Sequence, residues 1–203
     1  MTGYFEYNLP FRGVDTLECA YLPLEVVWQW TQVCPPMHQH LPHPPAAYFV
    51  EKLHEKKKEW EATSEYATLQ KLIASNPAFS TARKIFGIAL GSMRDVREIH
   101  RQNSAAQYCL LRSMGELIAK AAKSNEVRCF AQDPQLTPPV IEALSRIGIQ
   151  TIDDPQAFLD LDDTSFVISS APVIPVKQIV ADLARPVAMM WNPPSGDKRN
   201  FLS

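Results

Sequence analysis

A short apolar run that ends at a glycine constrains the fold of this chain more than any other feature. The run spans Lys84–Leu90 and is followed by Gly91-Ser92, and an amphipathic helical pattern covers 103–123. A buried parallel strand that leads through a turn into a crossover helix produces this pattern. Because ligands of open parallel sheets bind where such turns lie, the segment predicts both a fold class and the position of a site.

The same alternation of strand and helix continues along the chain. Four more strands are predicted, at 127–131, 149–152, 165–169 and 187–191. Helices are predicted between them, at 138–147 with Gly148 as the end, in a short stretch after Asp154-Pro155, and at 176–184. This alternation predicts an α/β fold: a Rossmann-like, doubly wound, mainly parallel five-stranded sheet. Right-handed crossovers favour the order 3-2-1-4-5, with a switch point between strands one and four.

The chain before the first strand has two parts. Residues 1–45 form an extension rich in proline and aromatic residues, and we expect its aromatic side chains to pack against the domain or against a protein partner. From residue 46 a helical pattern predicts two helices, the second capped by Ser64 and ended at Asn76-Pro77. The predicted α/β domain therefore covers 46–203 and includes both helices.

Charge, hydropathy and cysteine usage exclude several classes of protein. A net charge of -2 argues against a dedicated nucleic-acid-binding protein, and no apolar run reaches the roughly 20 residues that span a membrane. The sequence begins without the basic and apolar segments of a secretory signal. The four cysteines are far apart, and Cys109 and Cys129 are expected to be small buried residues in a reducing compartment. We therefore expect a cytoplasmic and/or nuclear protein without a membrane partner.

The predicted topology brings polar residues together at the switch point. Backbone N–H groups of the Gly91-Ser92 turn are candidates to hold a phosphate or carboxylate, and Asp133 is placed to accept hydrogen bonds from a ribose diol. The alternatives are a tight turn without a ligand and an aspartate that bonds its own backbone. A valine at Gly91 is expected to block the crevice and leave the fold largely intact. The candidate cofactor- or ligand-binding residues are Gly91, Ser92, Asp133, Ser169 and Ser170, with Ala171 and Pro172 beside them.

Groups suited to catalysis or metal binding are sparse. Ser92 is a candidate nucleophile if His100 reaches it as a base, but the Gly-x-Ser-x-Gly elbow is missing. An acidic run and a histidine cluster fit no metal-binding spacing, and surface loops explain both better, with Asp154 as a helix cap. Lysines 56–58 alternate with glutamates and predict an exposed helix face. No metal site and no catalytic residue is assigned. The acidic run and the histidine cluster consist of Asp153, Asp154, Asp160, Asp162, Asp163, His38, His40 and His43.

Several short motifs resemble the Sensitivity-to-Red-Light-Reduced (SRR-like) domain family. They are Ala-Leu-Gly-Ser at 89–92, Gln107, Gln-Asp-Pro at 132–134, Leu144 with Gly148, and the segment 162–172. In that family the first strand ends in Gly-x-Gly-Ser and the fourth in Pro-His, whereas Ala89 and Val173 stand at the first glycine and the histidine here. The family is associated with light and circadian signalling and with microtubule- and haem-related phenotypes. The resemblance therefore implies an α/β fold and a regulatory setting rather than a particular reaction.

Two functions fit these observations. The first is a regulatory or accessory intracellular protein with a ligand-sized crevice at the carboxyl edge of its sheet and a partner-binding extension at 1–45. The second is a small transferase-type enzyme that uses a nucleotide or adenosyl cofactor in that crevice. The missing family glycine and histidine and the few acid-base groups favour the first. In both, the expected ligand is small and anionic or nucleotide-like.

Overall fold

One parallel sheet runs through the computed structural model of the chain, in which residues 44–94, 98–123, 127–170, 172 and 174–191 are described. Every neighbouring pair of strands is parallel, and the order is β3-β2-β1-β4-β5. The predicted α/β fold and the switch point between β1 and β4 are therefore confirmed. The strands are β1 (Lys84–Ile88), β2 (Arg128–Gln132), β3 (Ile149–Thr151), β4 (Ser165–Ser169) and β5 (Ala188–Trp191).

Helices cover both faces of the sheet, as the doubly wound topology requires. Two of them precede β1, and a 3₁₀ helix at Pro77–Thr81 leads from the second into the strand. The crossover helix begins at Glu98, earlier than the predicted start at 103. The helices are α1 (Ala46–Glu61), α2 (Ser64–Ser75), α3 (Glu98–Ala121), α4 (Pro138–Arg146), α5 (Gln156–Leu159) and α6 (Val176–Leu183).

Two predicted helix caps are wrong, and two predicted helix ends, at Asn76-Pro77 and at Gly148, are confirmed. Thr63, not Ser64, caps α2, because its Oγ1 accepts a hydrogen bond from the Tyr66 N–H. Asp154 does not cap α5, since its Oδ1 accepts a bond from Gln132 instead. Gly148 follows α4 with a φ of 81°, the left-handed conformation that ends many helices.

Each face of the sheet has its own buried cluster, because side chains alternate along a strand. Ile85 packs with residues of α1 to α4 on one face, and Phe86 packs with α5 and α6 on the other. The rings of Phe86 and Phe130 stack with centroids 5.1 Å apart on the second face. The two clusters fix the register of the strands and thereby the positions of the loops at their carboxyl ends.

Cys109 and Cys129 are buried and free, as predicted. Burial raises the pKa of the Cys109 thiol to about 12 and that of the Cys129 thiol to about 11. Both thiols are therefore protonated at neutral pH and behave as small core residues rather than as nucleophiles.

Several predictions concern residues outside the described part of the chain. The extension 1–45 lies outside it except for its last two residues, and so do the histidine cluster, Cys19 and Cys34. The same holds for Ala171 and Val173 near the end of β4. Partner binding by 1–45 therefore stays a prediction. Of the helices in the described ranges, none has the length and apolar character needed to cross a membrane.

Candidate functional site

The predicted site residues follow the carboxyl ends of three neighbouring strands. Gly91 and Ser92 lie in the loop after β1, and Asp133 directly follows β2. Ser169 is the last residue of β4, and Ser170 comes next. We call these five residues the carboxyl edge. Within this group, Gly91 bonds Asp133 and also contacts α3.

The loop after β1 is held from three sides. The Gly91 N–H donates to Asp133 Oδ2 over 2.6 Å, and the Tyr108 hydroxyl donates to the Gly91 carbonyl over 2.9 Å. Gly91 has a φ of 83°, and a Cβ there would lie 2.6 Å from Ser104 Oγ. A side chain at Gly91 is therefore strained by its backbone and by the approach of α3. This contradicts the expectation that a valine at Gly91 leaves the fold largely intact.

Asp133 uses both carboxylate oxygens on backbone groups. Its Oδ1 accepts from the Gln135 N–H over 2.9 Å, which forms a local turn, and its Oδ2 accepts from Gly91. Burial raises the pKa of Asp133 above its usual value, although both backbone hydrogen bonds act in the opposite direction. The local turn that the sequence offered as an alternative is present. A contact with a ribose diol stays a prediction.

The backbone conformation of Ala89 explains why the Gly-x-Gly-Ser motif has a glycine at this position. Its φ is 55°, a left-handed conformation that glycine adopts without strain and that alanine rarely adopts. Its N–H donates to the Gln132 carbonyl over 2.9 Å, which ties the end of β1 to the end of β2. The end of β1 therefore has a backbone conformation that favours glycine, although alanine stands there.

Sequence reasoning missed Gln132 as a structural link between β2 and α5. The side chain is buried, its Nε2 donates to Asp154 Oδ1 over 2.7 Å, and its Oε1 accepts from the Ala157 N–H over 2.7 Å. A glutamine at the end of an apolar strand is the only local signal of this role. Ser104 and Tyr108 were also missed, although they lie four residues apart on the same buried face of α3.

Ser169 is the unusual member of the carboxyl edge. It is 1% exposed, and its Oγ has no hydrogen-bond partner among the described residues. Alternation along β4 places its side chain on the same face as Val167, toward α5 and α6. Buried hydroxyl groups nearly always have a partner, so an unpartnered one at a switch point favours a polar ligand at that place.

The groups considered for catalysis and metal binding have structural contacts. Ser92 Oγ accepts a hydrogen bond from the Arg94 N–H over 3.1 Å. Within the acidic run, Asp162 lies 2.6 Å from Lys84 Nζ and also accepts from Thr164 and Ser165. Within the described ranges, no three His, Cys, Asp or Glu side chains converge to hold a metal ion.

Comparison with known proteins identifies a family for this architecture. A family model described as the SRR1 domain matches residues 49–200, which include most of α1 and all five strands. No curated protein and no solved structure matches the chain. The match extends further toward the N-terminus than the motifs at 89–172. The chain therefore belongs to the SRR1 domain family.

Proposed function

We propose that this chain is a regulatory or accessory intracellular protein that binds a small anionic or nucleotide-like ligand at its carboxyl edge. The observation that supports this proposal most directly is the buried, unpartnered Oγ of Ser169. In this proposal the ligand changes the stability or shape of the edge, and a protein partner that contacts residues 1–45 reads out the change.

The position of Ser169 favours a bound ligand, rather than a packing defect, as the explanation of its unpartnered hydroxyl group. β4 and β1 are neighbours in the sheet, and their carboxyl-terminal loops leave the sheet next to each other at the switch point. A ligand hydroxyl, carbonyl or phosphate oxygen at that point supplies the hydrogen bond that Ser169 lacks. The bonds from Gly91 to Asp133 and from Tyr108 to Gly91 keep the neighbouring loop in one conformation, which lowers the entropy cost of binding.

The polar groups of the carboxyl edge favour a regulatory role over a catalytic one. Both oxygens of Asp133 accept backbone hydrogen bonds, and Ser92 Oγ accepts one from Arg94. The two described cysteines are buried in the core with raised pKa values. Catalysis by a nucleophile needs a base within hydrogen-bond reach, and the described contacts of these groups supply none.

One observation favours the transferase as a second candidate. Asp133 has a pKa raised by burial and lies at the edge where ligands of such sheets bind. A carboxyl with a raised pKa is a suitable general acid or base, so Asp133 is the residue on which a transferase mechanism depends. In that case a compound bound at the carboxyl edge is converted, and Asp133→Asn abolishes the conversion.

A thermal-shift screen of the purified full chain tests the proposal. The panel contains nucleotides, adenosyl cofactors, nicotinamide dinucleotides and sugar phosphates. A compound at ~100 times its Kd adds about 2.7 kcal/mol, which raises Tm by roughly 5–10 °C in a chain of this size. No shift with any compound contradicts the proposal, and turnover of a bound compound supports the transferase.

Two serine variants form a matched pair for this screen. Ser169 and Ser113 are both buried and both have an unpartnered Oγ, but Ser113 lies on α3 away from the strand ends. Both alanine substitutions are expected to leave the ligand-free Tm unchanged or slightly raised, since each removes an unpartnered hydroxyl. Ser169→Ala should abolish the ligand shift, and Ser113→Ala should keep it. An equal shift in both variants argues against the carboxyl edge as the site.

The partner is tested separately. A protein that co-purifies with the full chain should be lost when residues 1–45 are deleted, while the ligand shift of the remaining domain persists. An undiminished complex after the deletion contradicts the role proposed for 1–45.

A further inference from the structure

The start of α6 has no capping side chain. Pro175 stands immediately before the helix, its ring offers no hydrogen-bond acceptor, and no acidic side chain lies in the first turn. A helix begins with backbone N–H groups that lack an intrahelical partner, and these groups form the positive end of the helix dipole. The start of α6 therefore presents backbone donors and a positive potential to an anion.

A contact between α6 and β5 places this first turn beside Ser169. The ammonium group of Lys177, the second residue of α6, lies 5.7 Å from the centre of the Trp191 ring. Trp191 ends β5 and is the register partner of Ser169 in β4. Side chains of register partners point to the same face of a sheet, and Trp191 packs with the cluster of α5 and α6. The start of α6, the indole ring and the Ser169 side chain therefore lie together on that face.

The buried hydroxyl group of Ser169 is an independent sign of a ligand at this place. None of the described residues supplies a hydrogen-bond partner for its Oγ. By contrast, Gln132 is a buried side chain at the carboxyl end of β2 on the same face, and its amide bonds both Asp154 and Ala157. A ligand oxygen beside the start of α6 would give Ser169 the partner that the fold gives to Gln132.

Lys177 adds a positive charge to the dipole at the start of α6. Within the described ranges its ammonium group forms no ion pair, and it contacts the Trp191 ring. Asp182 is the acidic residue of α6, but it lies in the last turn, at the negative end of the dipole. Asp154, which precedes α5, accepts a hydrogen bond from Gln132. The lysine and the helix dipole therefore favour an anion at the same place.

We propose that the anionic group of the ligand is a phosphate and that it binds between the first turn of α6 and Ser169. This inference rests on the proposed function and specifies the chemistry and the position of its ligand. Backbone N–H groups of the first turn, the Ser169 hydroxyl and the Lys177 ammonium donate to the phosphate from different directions. The three terminal oxygens of a phosphate monoester accept such bonds, whereas the two oxygens of a carboxylate lie in one plane with their carbon. Gly91 and Asp133 then hold the neighbouring loop and do not bind the phosphate.

Titration calorimetry of the full chain with inorganic phosphate at constant ionic strength tests this position. We expect saturable binding of one phosphate that sodium chloride does not reproduce. Two substitutions of Gln178, the exposed third residue of α6, change the local charge in opposite directions. Gln178→Glu places a carboxylate at the helix start, so it should raise the ligand-free Tm slightly and weaken phosphate binding about tenfold or more. Gln178→Lys should bind phosphate at least as tightly as the wild type.

Variants of the two side-chain donors test their contacts with the phosphate. Ser169→Ala should weaken phosphate binding about tenfold, because a hydrogen bond to a charged group is lost. Lys177→Gln should also weaken it. Lys71→Gln is the matched control for general charge, since it makes the same change at an exposed position of α2 and should leave the affinity unaltered.

The outcomes separate this inference from the proposed function. Absence of saturable binding, equal weakening by Lys177→Gln and Lys71→Gln, or unchanged affinity in Gln178→Glu or Ser169→Ala overturns the inference. The same variants are then compared in the thermal-shift panel. A shift that Ser169→Ala abolishes and Gln178→Glu leaves unchanged supports the proposed function but overturns the phosphate position at α6. Loss of the shift in both variants supports both.

Discussion

Different interactions hold the carboxyl edge and the α3–α4 trench, the groove between these two helices that is lined by Lys57, Arg112 and Glu116. At the carboxyl edge, Asp133 and Gly91 bond each other, and the Tyr108 hydroxyl bonds the Gly91 carbonyl. In the trench, Glu116 is shared between Lys57 and Arg112, and Lys57 also lies 3.7 Å from Glu61 Oε1. Hydrogen bonds therefore hold the carboxyl edge, whereas ion pairs hold the side chains that line the trench.

This difference changes where a ligand is expected and how it is recognised. Topology alone points to the carboxyl edge, because switch points of parallel sheets bind ligands. Its backbone donor at Gly91 is already used by Asp133, so recognition there depends on the few remaining groups, Ser169 above all. The trench has no such topological signal, and its charged side chains are paired with each other. Predictions that perturb each region separately therefore test the comparison.

The largest expected effect is that of Gly91→Val at the carboxyl edge. The left-handed φ of 83° and the approach of Ser104 Oγ to 2.6 Å from the added Cβ act together. We expect a loss of about 2–5 kcal/mol in the free energy of unfolding, the sum of backbone strain and overpacking. Urea denaturation measures the loss.

Gly91→Ala supplies the control for this loss. Combined with Ser104→Ala, Gly91→Ala should recover the part that comes from the contact with Ser104 and keep the part that comes from φ. A Gly91→Val protein with the stability of the wild type would mean that the loop after β1 is not held by α3.

Smaller losses of stability distinguish the two regions by their dependence on salt concentration. Tyr108→Phe removes the hydrogen bond to the Gly91 carbonyl and should cost about 1 kcal/mol at any salt concentration, since the bond joins neutral groups. Glu116→Gln should cost about 0.5–1 kcal/mol at low salt, because its ion pairs are partly exposed, and the cost should fall as salt screens them. Urea denaturation at two salt concentrations measures both. Equal salt dependence of the two variants contradicts the proposed difference.

Local sequence signals were enough to predict the fold and which residues lie at the carboxyl edge. The strand predicted at 165–169 matches β4, and the strand order was predicted from apolar runs and glycine stops, which are properties of neighbouring residues. Contacts between distant segments could not be predicted in this way. Arg112 on Gly148 and Tyr108 on Gly91 depend on how helices pack, and no periodic pattern marks them. Thr63 was missed as the cap of α2 because Ser64 beside it has an equally suitable side chain.

The smallest expected effect is that of Ala89→Gly, which tests whether the backbone of Ala89, close to the carboxyl edge, is strained. Its φ of 55° costs alanine roughly 1–2 kcal/mol, whereas glycine adopts this conformation freely but loses about 0.5–1 kcal/mol through the greater freedom of the unfolded chain. Ala89→Gly should therefore raise the free energy of unfolding by about 0.5–1 kcal/mol, as measured by urea denaturation.

Lys123→Gly is the matched control, because Lys123 has a φ of 48° at an exposed position just after α3. The two glycine variants should gain similar stability if backbone strain alone decides the outcome. A gain in Lys123→Gly without one in Ala89→Gly would mean that the methyl group of Ala89, which packs against the cluster of α5 and α6, offsets its strain. The replacement of the family's glycine would then be a packing adaptation of the carboxyl edge.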